Sequence, residues 1–226
     1  MKSIFIYTIT KFNSSIETAL KDNINVLNKN KFFELVVLSC IQDKKLDELI
    51  YRLIEQNSDI KYYKPQIGTI SPAYIKNFYL KLADNKFLTF LREDSIINTY
   101  FLLNLATLNQ DKIMFADDNR YGLFLTAHRD VFLKIGGFDV TLFSTSVNCE
   151  DDDIKNRIVF SRTAEPKIIL TKSLAAINKI ILHCDASEYS NYDNFTSFKN
   201  VSNKIFFLPE VKACTNIIFN FNCNLN

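Results

Sequence analysis

Two acidic clusters hold the groups best suited to chemistry in this chain. The first, Glu150-Asp151-Asp152-Asp153, opens the segment EDDDIKNRIVF, which reads as the start of a helix over residues 150–163. A helix amino terminus favours carboxylates and keeps them ionised, which suits a base that takes a proton from a hydroxyl. At helical spacing Glu150, Asp153 and Arg157 share one face while Asp151 projects elsewhere, so the acids are expected to serve different roles. Acids in a first turn commonly do no more than complement the helix dipole, so this cluster alone does not establish a base. The second cluster, Arg92-Glu93-Asp94-Ser95, ends the apolar run FLTFL at 87–91. Ligands of open α/β sheets bind at the carboxyl ends of strands, which makes this the second place to expect function.

The elements that must position these clusters follow from hydrophobic periodicity. Residues 3–9 are a β-rich apolar run, and 14–29 place Ile16, Leu20, Ile24 and Leu27 at helical spacing behind a serine cap. A continuous apolar run at 33–41 predicts a buried parallel strand, and 44–56 a second amphipathic helix. The β-α-β-α order implies a parallel sheet wound right-handed, as in nucleotide-binding α/β folds. An extended stretch at 60–64 leads to a turn around Pro65 and Gly68, then a helix from Ser71-Pro72 to about Ala83. In the second half, 96–110 reads as partly helical, 112–116 and 122–127 as strands, and 129–135 as a short helix closed by Gly136-Gly137. Strand-like runs recur at 167–170 and 178–183, before a tail rich in Asn and Ser. There is no internal repeat and no convincing linker, so one α/β domain over 1–226 is expected.

Composition narrows the partners. The 27 basic and 25 acidic side chains nearly cancel, leaving no global field of the kind that drives binding to nucleic acid or anionic membrane. No window approaches the ~20 apolar residues that span a bilayer, and the amino terminus lacks a signal-peptide pattern, so a cytoplasmic protein or an excised soluble domain is expected. Cys40, Cys149, Cys184, Cys214 and Cys223 lack CxxC spacing and are expected to be reduced thiols.

The string EDDDIKNRIVF resembles the EDDDI-NRLVF segment of the β-1,4-galactosyltransferase family, and the preceding FLKIGGFD resembles an element shared by that family and family 2 glycosyltransferases. The resemblance implies a GT-A fold, a mostly parallel sheet flanked by helices. It implies an inverting hexosyltransferase in which Asp151 is the catalytic base and Glu150, with the Gly136-Gly137 turn, meets the acceptor. Asp153 and Arg157 are then structural. FLTFLREDSII is similar to the position where these enzymes carry a DxD motif holding Mn2+ or Mg2+ against the donor diphosphate. Asp94 keeps the second aspartate, and arginine replaces the first. His183, in INKIILHCD, lies where the galactosyltransferases carry a further metal ligand; apart from that resemblance it is an ordinary strand-end histidine, and His128 is left structural.

For the donor, which the resemblance implies is a UDP-sugar, the candidates are Lys11 and Asn13 after the first strand, Asp43 after the second, and Arg92 and Glu93. Residues 1–95 would form the nucleotide half and 96–226 the half facing a glycan or glycolipid acceptor, in surface polysaccharide synthesis. Two departures stand out: Ser39-Cys40 occupies the place of an aspartate pair, and Ser-Thr-Ser-Val-Asn-Cys (144–149) replaces a glycine-tryptophan stretch. These departures, with Arg92, keep open a catalytically degenerate GT-A domain that binds nucleotide or glycan. A nucleotidyltransferase would need a glycine-rich loop with lysine after the first strand, which this sequence lacks.

Overall fold

The computed structural model describes residues 3–28, 33–56, 59–84, 86–93, 95–97, 99–116, 124–141 and 150–169. Strands β1 (Ser3–Ile9), β2 (Phe33–Ser39), β3 (Ile60–Tyr63) and β4 (Phe87–Leu91) alternate with helices α1 (Ser14–Asn28), α2 (Lys44–Gln56) and α3 (Pro72–Leu82). Then follow α4 (Thr99–Ala106), β5 (Lys112–Ala116), β6 (Phe124–His128), α5 (Arg129–Lys134), α6 (Glu150–Phe160) and β7 (Glu165–Ile169). The described strands form one sheet in the order β3-β2-β1-β4-β6-β5-β7. β6 runs antiparallel to both β4 and β5, and every other pairing is parallel.

Both faces of the central strands are covered, which is why β1 and β2 read as unbroken apolar runs. Phe5, Tyr7 and Ile9 of β1 pack with Leu20, Ile24, Leu49 and Phe101, from α1, α2 and α4. Ile4 and Ile6 point the other way, into a core shared by Phe90 with Ile75, Phe132, Phe138 and Ile154. That second core, between the sheet and α3, α5 and α6, underlies the site.

Most expected elements are present with small shifts. The strand expected at 33–41 ends at Ser39, and the helical part of 96–110 is confined to Thr99–Ala106. The serine cap expected for α1 is corrected: the helix already includes Ser14, so Asn13 is the residue before its first turn and accepts from the Ile16 amide, its N3, at 3.0 Å. Ser71 caps α3 as expected, accepting from the Tyr74 amide at 3.3 Å, with Pro72 in the first turn. The 178–183 run and four of the cysteines lie outside the described residues, whereas Cys40 is a buried free thiol. No helix among the described residues is long and apolar enough to cross a membrane.

A buried polar network ties α1 to the chain beyond β4. Asn23, fully buried, donates to the Ser95 carbonyl at 2.7 Å and to the Tyr7 hydroxyl, and accepts from the Ile97 amide at 2.6 Å. The Tyr7 hydroxyl donates to the same carbonyl at 2.9 Å. In a dry interior such satisfied bonds fix one geometry, so the exit path from β4 is set by a helix residue 74 positions earlier in the chain.

Candidate active site

The parallel strands β1, β2, β3 and β4 all end on one edge of the sheet, and the loops after them carry most of the expected polar residues. Asn13 and Asp43 each use a side-chain oxygen to cap a helix, Asp43 accepting from the Leu46 amide at 2.9 Å. Glu93 turns toward β1: one of its oxygens accepts from the Thr10 amide at 2.7 Å and the Thr10 hydroxyl at 3.1 Å. Burial raises the Glu93 carboxyl above its ordinary value, and the Thr10 bonds and the Lys11 charge only partly offset it. A cavity of about 370 Å³ opens on this edge, lined by Gln42, Lys64, Pro65, Gln66 and Ile67. Lys64 in that lining donates to Asp47 at 2.6 Å, and Asp47 also accepts from the Tyr62 hydroxyl at 2.7 Å.

The α6 acids meet a partner that sequence reasoning missed. Lys76 of α3 donates at 2.8 Å to Glu150 Oε1 and at 2.8 Å to both oxygens of Asp151. The side chains of Lys76 and Glu150 are each 3% exposed and that of Asp151 is 19% exposed, so the pair is dry on one side and reaches solvent through Asp151. The ammonium also lies 5.2 Å from the Phe138 ring centre and 5.8 Å from that of Phe90. Burial alone would lower the Lys76 ammonium, but the charges of Asp151 and Glu150 outweigh it and hold the group above its ordinary value. Burial raises the Glu150 carboxyl despite Lys76, with Asp151 adding to the rise, and Glu150 Oε2 is buried with no hydrogen-bond partner among the described residues.

The expectation that Asp151 projects away from Glu150 is corrected, since both converge on one ammonium. A signal for Lys76 was present: in PAYIKNFYLKL it sits three residues after Ala73 and four before Leu80, on the apolar stripe. A charge on such a stripe must be paired, and the only question is with what.

The glycine turn is the joint that aligns α6 with α3. Asn77 donates to the Phe138 carbonyl at 2.7 Å and accepts from the Phe138 amide at 2.8 Å. Arg157 donates to the carbonyls of Ile135 at 2.9 Å and Gly137 at 2.7 Å while pairing with Asp153 at 2.8 Å, the structural partnership expected of those two residues. Gly137 has φ +75°, and a Cβ there would lie 2.4 Å from Asn77 Oδ1; Gly136 has φ +85° with open space around it. Gly137→Ala is therefore expected to cost about 3 kcal/mol, left-handed strain plus a displaced Asn77, and Gly136→Ala only about 1–2 kcal/mol. Urea midpoints of the two variants check the difference.

The two acidic regions share an electrostatic neighbourhood at Cys40, just past β2. Burial pushes its thiol up to about 12, and Lys76, Glu150 and Glu93 all act on it through their charges. Asp94 and His183, the expected metal ligands, lie outside the described residues, and among the described residues no three metal-ligating side chains come together. Glu93, the described acid of that cluster, has one oxygen committed to Thr10, so the described residues alone do not form a cation site.

No family model matches the sequence, and no curated protein matches it. Solved structures do. Mannosyltransferase PcManGT from Pyrobaculum calidifontis, in complex with GDP-Man and Mn2+, aligns with TM-score 0.58 at 13% identity over 75% of this chain and 56% of that one. S. aureus TarS 1–349 aligns with TM-score 0.56 at 16% identity over 75% of this chain and 58% of that one. TarS 1–349 in complex with UDP-GlcNAc gives TM-score 0.55 over 75% and 56%. The chain thus spans a little over half the length of these structures. Both proteins are GT-A-like glycosyltransferases, and at such identities the likeness is one of architecture: this chain has the GT-A fold, a mostly parallel sheet flanked by helices.

Proposed function

We propose that the chain is an inverting glycosyltransferase that moves a hexose from a nucleotide diphosphate sugar, a UDP-sugar in the first instance, to a hydroxyl of a glycan or glycolipid acceptor in surface polysaccharide synthesis. The observation that carries this reading is the convergence of Glu150 and Asp151 on buried Lys76, with only Asp151 reaching solvent. Asp151 takes the proton of the attacking hydroxyl as its oxygen bonds to the anomeric carbon. The bond from that carbon to the diphosphate breaks with its electron pair leaving on phosphate. The Gly136-Gly137 turn lines the acceptor side; Glu150, expected to meet the acceptor, is instead enclosed with one oxygen on Lys76. The nucleotide lies along the edge where β1, β2, β3 and β4 end, its base toward the Gln42–Lys64 cavity and its ribose and phosphates toward Lys11, Asn13, Asp43, Arg92 and Glu93. Asp94 and His183 would hold Mn2+ or Mg2+, whose chemistry is to neutralise the leaving diphosphate.

The test is slow donor hydrolysis. UDP-GlcNAc, UDP-glucose, UDP-galactose and GDP-mannose are each incubated with the protein, with Mn2+, with Mg2+ and with EDTA. Metal-dependent release of UDP or GDP from at least one of them is expected. The second reading, a nucleotide- or glycan-binding GT-A domain without catalysis, draws on Glu93 being turned onto Thr10 in the cluster where Arg92 replaces an aspartate. Calorimetric binding of UDP with no hydrolysis of any donor would favour it.

A further inference from the structure

Resting on the reading of Asp151 as the base, we infer that Lys76 is a positioning residue which holds the Asp151 carboxylate inward, aimed at the acceptor side, rather than a group that touches substrate. An ammonium has three donors, and here they are directed to Glu150 Oε1, Asp151 Oδ1 and Asp151 Oδ2, each at 2.8 Å. None is left for a phosphate or a sugar hydroxyl. Its other flanks face the rings of Phe90 and Phe138, and its stem is packed in the core. The lysine therefore cannot swing out to meet a ligand, and what it can do is fix its partners.

The two partners need fixing to different degrees. Glu150 is enclosed, with 3% of its side chain exposed. Asp151 stands in the first turn of α6 with 19% of its side chain exposed, where hydration pulls a carboxylate outward. The bidentate contact to an immobile ammonium opposes that pull and selects one orientation of the carboxylate plane. A carboxylate oxygen offers two lone-pair sites, so an oxygen bound to Lys76 can still accept the proton of an attacking hydroxyl. General-base catalysis requires the acceptor atom to be held in place before the proton moves, and Lys76 performs that holding.

Removing the lysine alone strands two carboxylates, so the test uses Glu150→Gln as its reference and adds Lys76→Met to it. The double variant buries no unpaired charge except the part-exposed Asp151, and methionine keeps the contact with the two rings. Crystal structures are expected to show Asp151 inward in Glu150→Gln and rotated toward solvent in the double variant. With a donor the wild type hydrolyses, kcat is expected to fall about 100-fold from Glu150→Gln to the double variant, donor KM and the calorimetric Kd for UDP staying within about threefold. Lys76→Arg in the Glu150→Gln background, with the charge kept, is expected to recover about 10-fold of that loss. Asp151 keeping its inward orientation without the lysine, or an unchanged kcat in the double variant, overturns the inference. Should the wild type hydrolyse no nucleotide sugar, the proposed activity fails by itself, and the Asp151 orientation still decides the role of Lys76.

Discussion

Asp151→Asn is expected to lower sugar transfer by about 10³-fold or more while the protein still folds and binds nucleotide. The substitution is nearly isosteric, so the effect is chemical. An amide cannot accept the proton of the attacking hydroxyl, and a neutral acceptor is a poor nucleophile. The structural consequences are small by comparison. The amide oxygen can still accept from Lys76, Glu150 keeps its own bond to the ammonium, and the residue has an outlet to water through its 19% exposed side chain. About 1–2 kcal/mol of stability is the expected loss, from one weakened charge-assisted bond. Asp152→Asn is the control. Asp152 is the next residue on the same helix and pairs with Lys155 at 2.6 Å, away from Lys76. If activity depended only on negative charge at the start of α6, both variants would lose it alike. A base at Asp151 predicts that Asp152→Asn stays within about threefold of the parent. Retention of more than about a tenth of the activity by Asp151→Asn would remove the residue from the reaction, since even a modest general base contributes about 10²-fold.

Where the sequence was legible, the reason is that local physics and global packing agree. β1 and β2 are enclosed on both sides, so every residue of Ser3–Ile9 is buried and the run is uninterrupted. The first two helices show amphipathic spacing that no other element could use, and their ends were read to within a residue. The glycine pair and the ED acids were legible because they form a local pattern, and the reason for that pattern appears only in space: Asn77 and Arg157 grip the turn from two helices. Lys76 was not legible in the same way. Its role depends on a contact 74 residues along the chain, and no periodicity within α3 names the partner. The misplacement of Asp151 has a geometric cause. Successive residues on a helix point about 100° apart, which separates them as seen from their own axis. A lysine arriving from a neighbouring helix at the level of the first turn can still span both.

Lys76→Met is expected to destabilise the fold by about 3–5 kcal/mol, since removing one partner of a buried pair leaves the other charge uncompensated. The cost falls chiefly on Glu150, whose side chain is 3% exposed and whose second oxygen has no partner among the described residues. Two routes of relief are open to it, protonation or local opening of α6, and both reduce stability at neutral pH. Adding Glu150→Gln to Lys76→Met is expected to restore most of the loss, because the charge that made the lysine necessary is gone. A coupling of at least about 2 kcal/mol between the two sites should appear in the double-mutant cycle measured by urea denaturation. The alkaline limb gives an independent sign. The Lys76 value is raised in the folded chain above its ordinary 10.5, so above that pH the folded state holds a proton that the unfolded chain has released. The stabilisation is then complete below about 10.5 and is lost as pH climbs through the folded value, giving the wild type a steeper downward slope than the double variant, in which Cys40, Tyr62 and Tyr79, also raised by burial, still contribute. Equal slopes in the two proteins, or additive free-energy changes at the two positions, would mean that the ammonium does not hold the α6 carboxylates in solution as it does in the structure.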